Sequence, residues 1–146
     1  MKVLTVKQPW ASLIVEGIKD IENRTWKTNY RGRILIHASG RKLKGIMGDY
    51  LSEKQIEFLY CGGTRLKKVY DFECGKQTYS AIIGSVEIID CVINHPSIWA
   101  EKTFYDGFED DKPIYNWVLA NPVKFEKPIP CKGALSLWDY KGELPL

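Results

Sequence analysis

Hydrophobic and polar positions alternate over residues 2–6, Lys2-Val3-Leu4-Thr5-Val6, as a half-buried strand requires. Pro9 then stands where a first helical turn tolerates proline. Trp10, Leu13, Ile14 and Gly17 share one helix face, and Gly17 is a natural C-terminal stop. A short strand is predicted around residues 20–24. Tyr30-Arg31-Gly32-Arg33 reads as a turn into the strand Ile34-Leu35-Ile36-His37-Ala38. Residues Tyr50 to Tyr60 carry Leu51, Ile56, Phe58 and Leu59 among strong helix formers, and Cys61-Gly62-Gly63 ends that helix. Residues 61–78 read as an irregular insertion. Ala81 to Val92, rich in Ile and Val, is the strongest strand. Pro96 to Trp99 is expected to open a short helix, and residues 114–125 to form a strand broken at Asn121-Pro122. Leu135 to Tyr140 alternates again and is expected to close the sheet. Few crossover helices and irregularly spaced strands argue for an α+β domain built on a mostly antiparallel, barrel-like sheet.

Composition changes little of this. A chain of 146 residues, 45% hydrophobic and 27% charged, suits one globular domain over residues 1–146. No run approaches the length of a membrane span, and the N-terminus lacks the pattern of a signal peptide. A cytoplasmic location with no membrane partner is the resulting expectation. The cysteines at 61, 74, 91 and 131 form no C-x-x-C pair and no zinc-type cluster, so no metal site and no cofactor is expected. Cys91, inside an apolar run, reads as a core residue, whereas Cys61 and Cys74 lie beside glycines and leave a disulfide open.

Charge is more informative. The net charge is only +3, but residues 1–45 hold ten bases against three acids. That asymmetry fits an anionic partner for the first third of the chain as well as it fits a lysine-studded solvated face.

The densest polar stretch is Gly17-Ile18-Lys19-Asp20-Ile21-Glu22-Asn23-Arg24-Thr25-Trp26. On a strand over 20–24, Ile21 and Asn23 share one face while Asp20, Glu22 and Arg24 share the other. Lys19, just past the helix stop, reaches the same space as Glu22 and Arg24. Such a convergence makes either a polar pocket or a surface ion-pair cluster of small energetic value.

These residues resemble the G-x-K-x-x-E-x-R signature of ASCH domains, a branch of the PUA-like superfamily. Gln8-Pro9-Trp10-Ala11, Asn23-Arg24-Thr25-Trp26, Tyr30-Arg31-Gly32 and Ile36-His37-Ala38-Ser39 are similar to further elements of that family. So are Gly84 to Cys91 and the region from Trp117 through Asn121-Pro122 to Lys132-Gly133. The resemblance implies a PUA-like β-barrel flanked by helices, with the signature lining a cleft for RNA or a nucleotide. Lys19, Glu22 and Arg24 carry over as ligand-binding residues, and Gln8, Trp10, Trp26, Tyr30 and Arg31 as cleft walls. Ser39 joins this set from the next strand. Trp10, also in the motif, fits a packed helix face better, and Trp99, Trp117, Trp138 and His37 read as core. Arginines fork onto phosphate, and an exposed Trp or Tyr stacks on a base.

One branch of the family hydrolyses the amide of N4-acetylcytidine with a lysine and a threonine in the signature. Here Lys19 matches, but Glu22 stands at the threonine position, and Thr25 is offset onto the other strand face. Lys19 and Glu22 are then the candidate catalytic pair, through acid–base work. A ribonuclease reading would draw on the acidic run Glu109-Asp110-Asp111, which suits a solvated loop equally. A protein-interaction module would show an exposed apolar patch instead.

Overall fold

The computed structural model describes residues 1–44, 49–61, 77–104 and 112–144. Six strands and two helices lie among them: β1 (Lys2–Val6), α1 (Trp10–Val15), β2 (Ile21–Arg24), β3 (Gly32–Ala38), α2 (Glu53–Cys61), β4 (Ala81–Val92), β5 (Tyr115–Pro130) and β6 (Leu137–Asp139). The strands form one sheet in the order β2-β5-β4-β3-β1-β6, curled into a half-barrel. This is the α+β, PUA-like architecture expected. Four of the five pairings are antiparallel; β1 and β3 run parallel, Val3 beside Leu35 and Val6 beside Ala38. Among the described residues no helix is long and apolar enough to cross a membrane.

The chain enters and leaves α1 by local chemistry. The Gln8 Oε1 accepts the Ser12 N–H, satisfying a first-turn donor. Gly17 has φ +77°, and the N–H groups of Gly17, Ile18 and Lys19 return to the carbonyls of Ile14 and Leu13. This left-handed stop turns the chain directly into β2. Ala11, Leu13, Ile14 and Val15 are buried, and α1 lies on the inner face of the sheet against Leu4, Ile34, Ile36, Val86 and Trp117. A second cluster joins Leu13, Ile18 and Ile21 to Leu59 of α2 and to Trp99. The other sheet face is covered near β6, where Trp138 and Tyr140 pack on Val3, Leu35 and Ile82.

Two segments differ from the periodicity. Strand β5 runs unbroken through Asn121-Pro122. Asn121 adopts φ 50°, and the register slips so that Ser85 faces Val123 while Glu87 faces Ala120. The proline therefore sits in a bulge, where no ladder hydrogen bond is needed from it. Residues 96–99 form a turn rather than a helix. The His95 Nδ1 accepts the Ser97 N–H and the Ser97 Oγ accepts the Trp99 N–H, so side chains take the place of helical partners. The insertion near 61–78 falls largely outside the described residues, as do the Cys61 side chain, Cys74 and the run Glu109–Asp111. Cys91 and Cys131 are free, half-buried thiols, and burial pushes the Cys131 thiol up.

Helix α1 comes so close to the sheet that Gly84 has no room for a side chain. A Cβ there would lie 2.3 Å from the Val123 carbonyl oxygen and 2.8 Å from Val15 Cγ1. Gly84→Ala is expected to cost about 1–3 kcal/mol, the usual penalty of overpacking. A chemical denaturation midpoint equal to wild type would show that helix and sheet separate freely here.

Candidate functional site

The turn at Gly17 and the pleat of β2 bring Lys19, Glu22 and Arg24 together. Glu22 is buried between the two cations. Its Oε2 accepts from the Arg24 Nη2 at 2.8 Å and Nε at 3.2 Å, while Oε1 lies 3.6 Å from the Lys19 Nζ. The Arg24 Nη2 also donates to the Thr5 carbonyl at 2.9 Å, tying β2 to β1 across the mouth of the half-barrel. Lys19 is 4% exposed and donates to the Ile21 carbonyl. Desolvation by burial pushes its ammonium below the ordinary lysine value, against the pull of the Glu22 carboxylate.

This triad lines a cavity of about 370 Å³. Residues far along the chain complete it: Tyr50 and Gln55 on one side, and Trp99, Ala100 and Glu101 on another. Asn23 holds the latter wall in place. Its Nδ2 donates to the Trp99 carbonyl, and its Oδ1 accepts the Glu101 N–H and the Asn116 Nδ2. Gln55 does the same for α2, donating to the Ile98 carbonyl at 2.9 Å. Trp10 is half-buried and also lines the cavity, edge-on to Tyr50 at 5.8 Å between ring centroids and 84° between planes. Among the described residues three cations (Lys7, Lys19 and Arg24) face it against two carboxylates (Glu22 and Glu101), a weakly basic balance. Of the cations only Lys7 is exposed.

The remaining candidates stand elsewhere. Gln8 is 2% exposed and consumed by Ser12 N–H and the Thr78 carbonyl. The Trp26 ring packs edge-on against Trp117 at 4.6 Å, and its carbonyl accepts the Trp117 indole N–H. Tyr30 packs against the core, and its hydroxyl donates to the Arg33 carbonyl. Arg31 donates to the carbonyls of Thr28 and Tyr30 and lies 3.8 Å from Asp90. Ser39 lines a different cavity. None of the five lines the cleft. Trp10, Asn23, Tyr50, Gln55, Trp99 and Glu101 do, and of these only Trp10 and Asn23 stand in motifs that the sequence singles out.

Among the described residues, two that line the cleft carry hydroxyls. The Thr5 Oγ1 faces His37 and Trp138, and the Tyr50 hydroxyl is bound to the Lys44 main chain. Thr25 is exposed and does not line the cleft. Among the described residues the cleft thus presents donors, two carboxylates and aromatic rings on one cavity.

The family model described as "ASCH domain" matches residues 4–129. The human protein activating signal cointegrator 1 is 32% identical over 146 residues, and its mouse counterpart 30% identical over 145. Each alignment covers 97% of this chain, which spans only 22% of the relative's length. The crystal structure of ASCH from Zymomonas mobilis superposes with a TM-score of 0.50 at 16% identity, over 88% of this chain and 72% of that one, a likeness of fold. With the signature residues gathered on one cleft and the family model spanning that cleft's strands, the chain belongs to the ASCH domain family.

Proposed function

We propose that this domain binds single-stranded RNA by taking one unstacked nucleoside into the cleft. The observation that carries the reading is the meeting of an aromatic wall, Trp10 with Tyr50, and the fixed polar triad Lys19, Glu22 and Arg24 in one cavity of about 370 Å³. That volume lies near the lower end of small-ligand pockets, about 300–1,000 Å³. It admits a base and sugar but no duplex. Trp10 offers a face for stacking. Arg24, held by Glu22 and the Thr5 carbonyl, presents its donors in a fixed orientation at low entropic cost. The Glu22 Oε1 lies 3.6 Å from Lys19, its one ion-pair neighbour among the described residues, and retains capacity to accept from an exocyclic amine. Exposed Lys7 on the lining supplies attraction for the flanking phosphate.

Fluorescence anisotropy of a labelled oligouridine and a labelled oligocytidine tests this. Trp10→Ala is expected to weaken binding by about 1–3 kcal/mol, the value of one base stacked on an aromatic ring. Arg24→Ala weakens it further and lowers the slope of log K against log salt. Wild-type protein that binds neither strand at low salt, or Trp10→Ala binding as tightly as wild type, would overturn the reading. Free cytidine or uridine that displaces the strand would place the nucleoside, rather than the backbone, in the cleft.

A further inference from the structure

We propose that a second cavity, sharing Thr5 with the cleft, is a phosphate-binding subsite for the nucleotide next to the one in the cleft. The strand that delivers this phosphate rests on the preceding reading; the anion chemistry of the cavity does not. The cavity measures about 400 Å³ and lies among the ends of β1 and β3, the start of β4 and the segment after β5.

Its floor is a closed polar chain. The Cys131 carbonyl lies 2.8 Å from the His37 Nε2, and a carbonyl only accepts, so Nε2 carries the proton. The His37 Nδ1 pairs with the Thr5 hydroxyl at 3.3 Å, and the Trp138 indole donates to the same oxygen at 3.1 Å. Every polar atom of the floor is satisfied internally. The donors left for a ligand are on the walls. Ser39 Oγ accepts the Arg41 N–H and keeps its own proton, and Ser80 is exposed at the lip.

Two glycines let main chain form the rest of the wall. A Cβ on Gly133 would lie 2.8 Å from both His37 and Thr5 side-chain atoms, and one on Gly40 would lie 2.6 Å from the Ser80 Oγ. Glycine there lets a ligand approach the main chain closely, beside small hydroxyls. The charge balance points the same way. Lys132 lines the cavity, Arg41 and Lys42 follow Gly40 in the chain, and among the described residues no carboxylate lines it. Among the described residues neither Lys132 nor Arg41 has an ion-pair partner. In the cleft, by contrast, Glu22 neutralises Lys19 and Arg24. The less compensated positive charge therefore lies in the second cavity, and Thr5 joins the two: its carbonyl holds Arg24 while its hydroxyl holds His37.

The test uses the full chain with three probes: labelled oligouridine, free uridine and inorganic phosphate. Lys132→Glu is expected to weaken oligouridine binding about tenfold or more, as when a charge-assisted hydrogen bond is removed. It should flatten the salt dependence by about 0.7, the share of one neutralised phosphate on a single strand. The Ser39→Ala, Ser80→Ala double variant, with no change of charge, should weaken binding in the same direction. Lys141→Glu, beyond β6 at the opposite end of β1, controls for net charge. Uridine binding in the cleft should be unchanged by Lys132→Glu. Competition by inorganic phosphate that Lys132→Glu abolishes would show that a free phosphate group also occupies the subsite. Equal weakening by Lys132→Glu and Lys141→Glu, or a salt slope unchanged by Lys132→Glu, would overturn the proposal. If Trp10→Ala is silent while Lys132→Glu still flattens the slope, the cleft reading fails and the phosphate subsite stands. Lys132 is exposed, so both charge variants should melt as wild type does.

Discussion

Glu22→Ala is expected to destabilise the domain by about 3–5 kcal/mol at neutral pH, the cost of stripping the partner from a buried charge. Glu22 is 7% exposed and Lys19 4% exposed, and the carboxylate is the only acid within ion-pair distance of Lys19 among the described residues. Removal leaves Lys19 with the Ile21 carbonyl alone, and Arg24 with the Thr5 carbonyl. The deficit has a distinct pH dependence. In the wild type, burial already holds the folded Lys19 below the ordinary lysine value, so between the two values the unfolded chain binds more protons. Stability from this group therefore rises with pH through that window, and protonated Lys19 is a cost below it. Without Glu22 the folded value drops further and the window widens toward neutrality. Glu22→Ala should accordingly recover part of its deficit as pH is raised toward the ordinary lysine range. Urea denaturation at neutral and alkaline pH measures this. A deficit that is the same at both would assign the effect to the cavity and not to the stranded ammonium. Glu22→Gln, which keeps the shape but not the charge, should follow the same pH trend.

Trp117→Ala is expected to cost about 3–5 kcal/mol, typical of a large aromatic truncated in a core. Trp117 is 0% exposed and stands on β5 between the edge strand β2 and β4, opposite Glu22 on β2 and Cys91 on β4. Its ring meets Trp26 edge-on, and its indole N–H is consumed by the Trp26 carbonyl at 3.2 Å. Truncation empties the space beneath the strand that carries the site, so binding should fall along with stability. Trp117→Phe keeps most of the apolar packing and gives up one hydrogen bond, worth about 0.5–1.5 kcal/mol net. It should therefore retain most of the stability that Trp117→Ala forfeits. A Trp117→Ala protein that melts near wild type would mean that β2 is held by its edge contacts and not by this ring. The contrast matters because Trp26 shares this packing. By its motif Trp26 resembles a stacking platform, yet in the fold its ring has another ring to cover it.

Local chemistry alone placed most of the elements. The alternation of β1, the Ile- and Val-rich run of β4, the glycine stop at the end of α1 and the apolar face of α2 are all set by residues a few positions apart. So is the pairing of Glu22 with Arg24, because a strand's period of two puts residues at i and i+2 on one face. The bulge at Asn121-Pro122 has the look of a break because proline removes a ladder donor. Only the register against β4 shows that no donor is missed there. The side-chain turn at His95-Ser97 similarly defeats a helix that the spacing favours.

What the amino-acid sequence determined by itself is the α+β class, the family signature and the co-facial carboxylate and guanidinium of β2. The tertiary structure decided which neighbours those groups have. It buried Lys19, turned Gln8, Trp26 and Tyr30 inward, and brought Tyr50, Trp99 and Glu101 to the cleft from 26 or more residues beyond Arg24. It also ran β1 parallel to β3, leaving Thr5 between two cavities. The physical reason is range. Backbone propensity and strand periodicity act over a few residues, whereas burial and desolvation depend on which distant segments the sheet and its hydrogen bonds bring into contact.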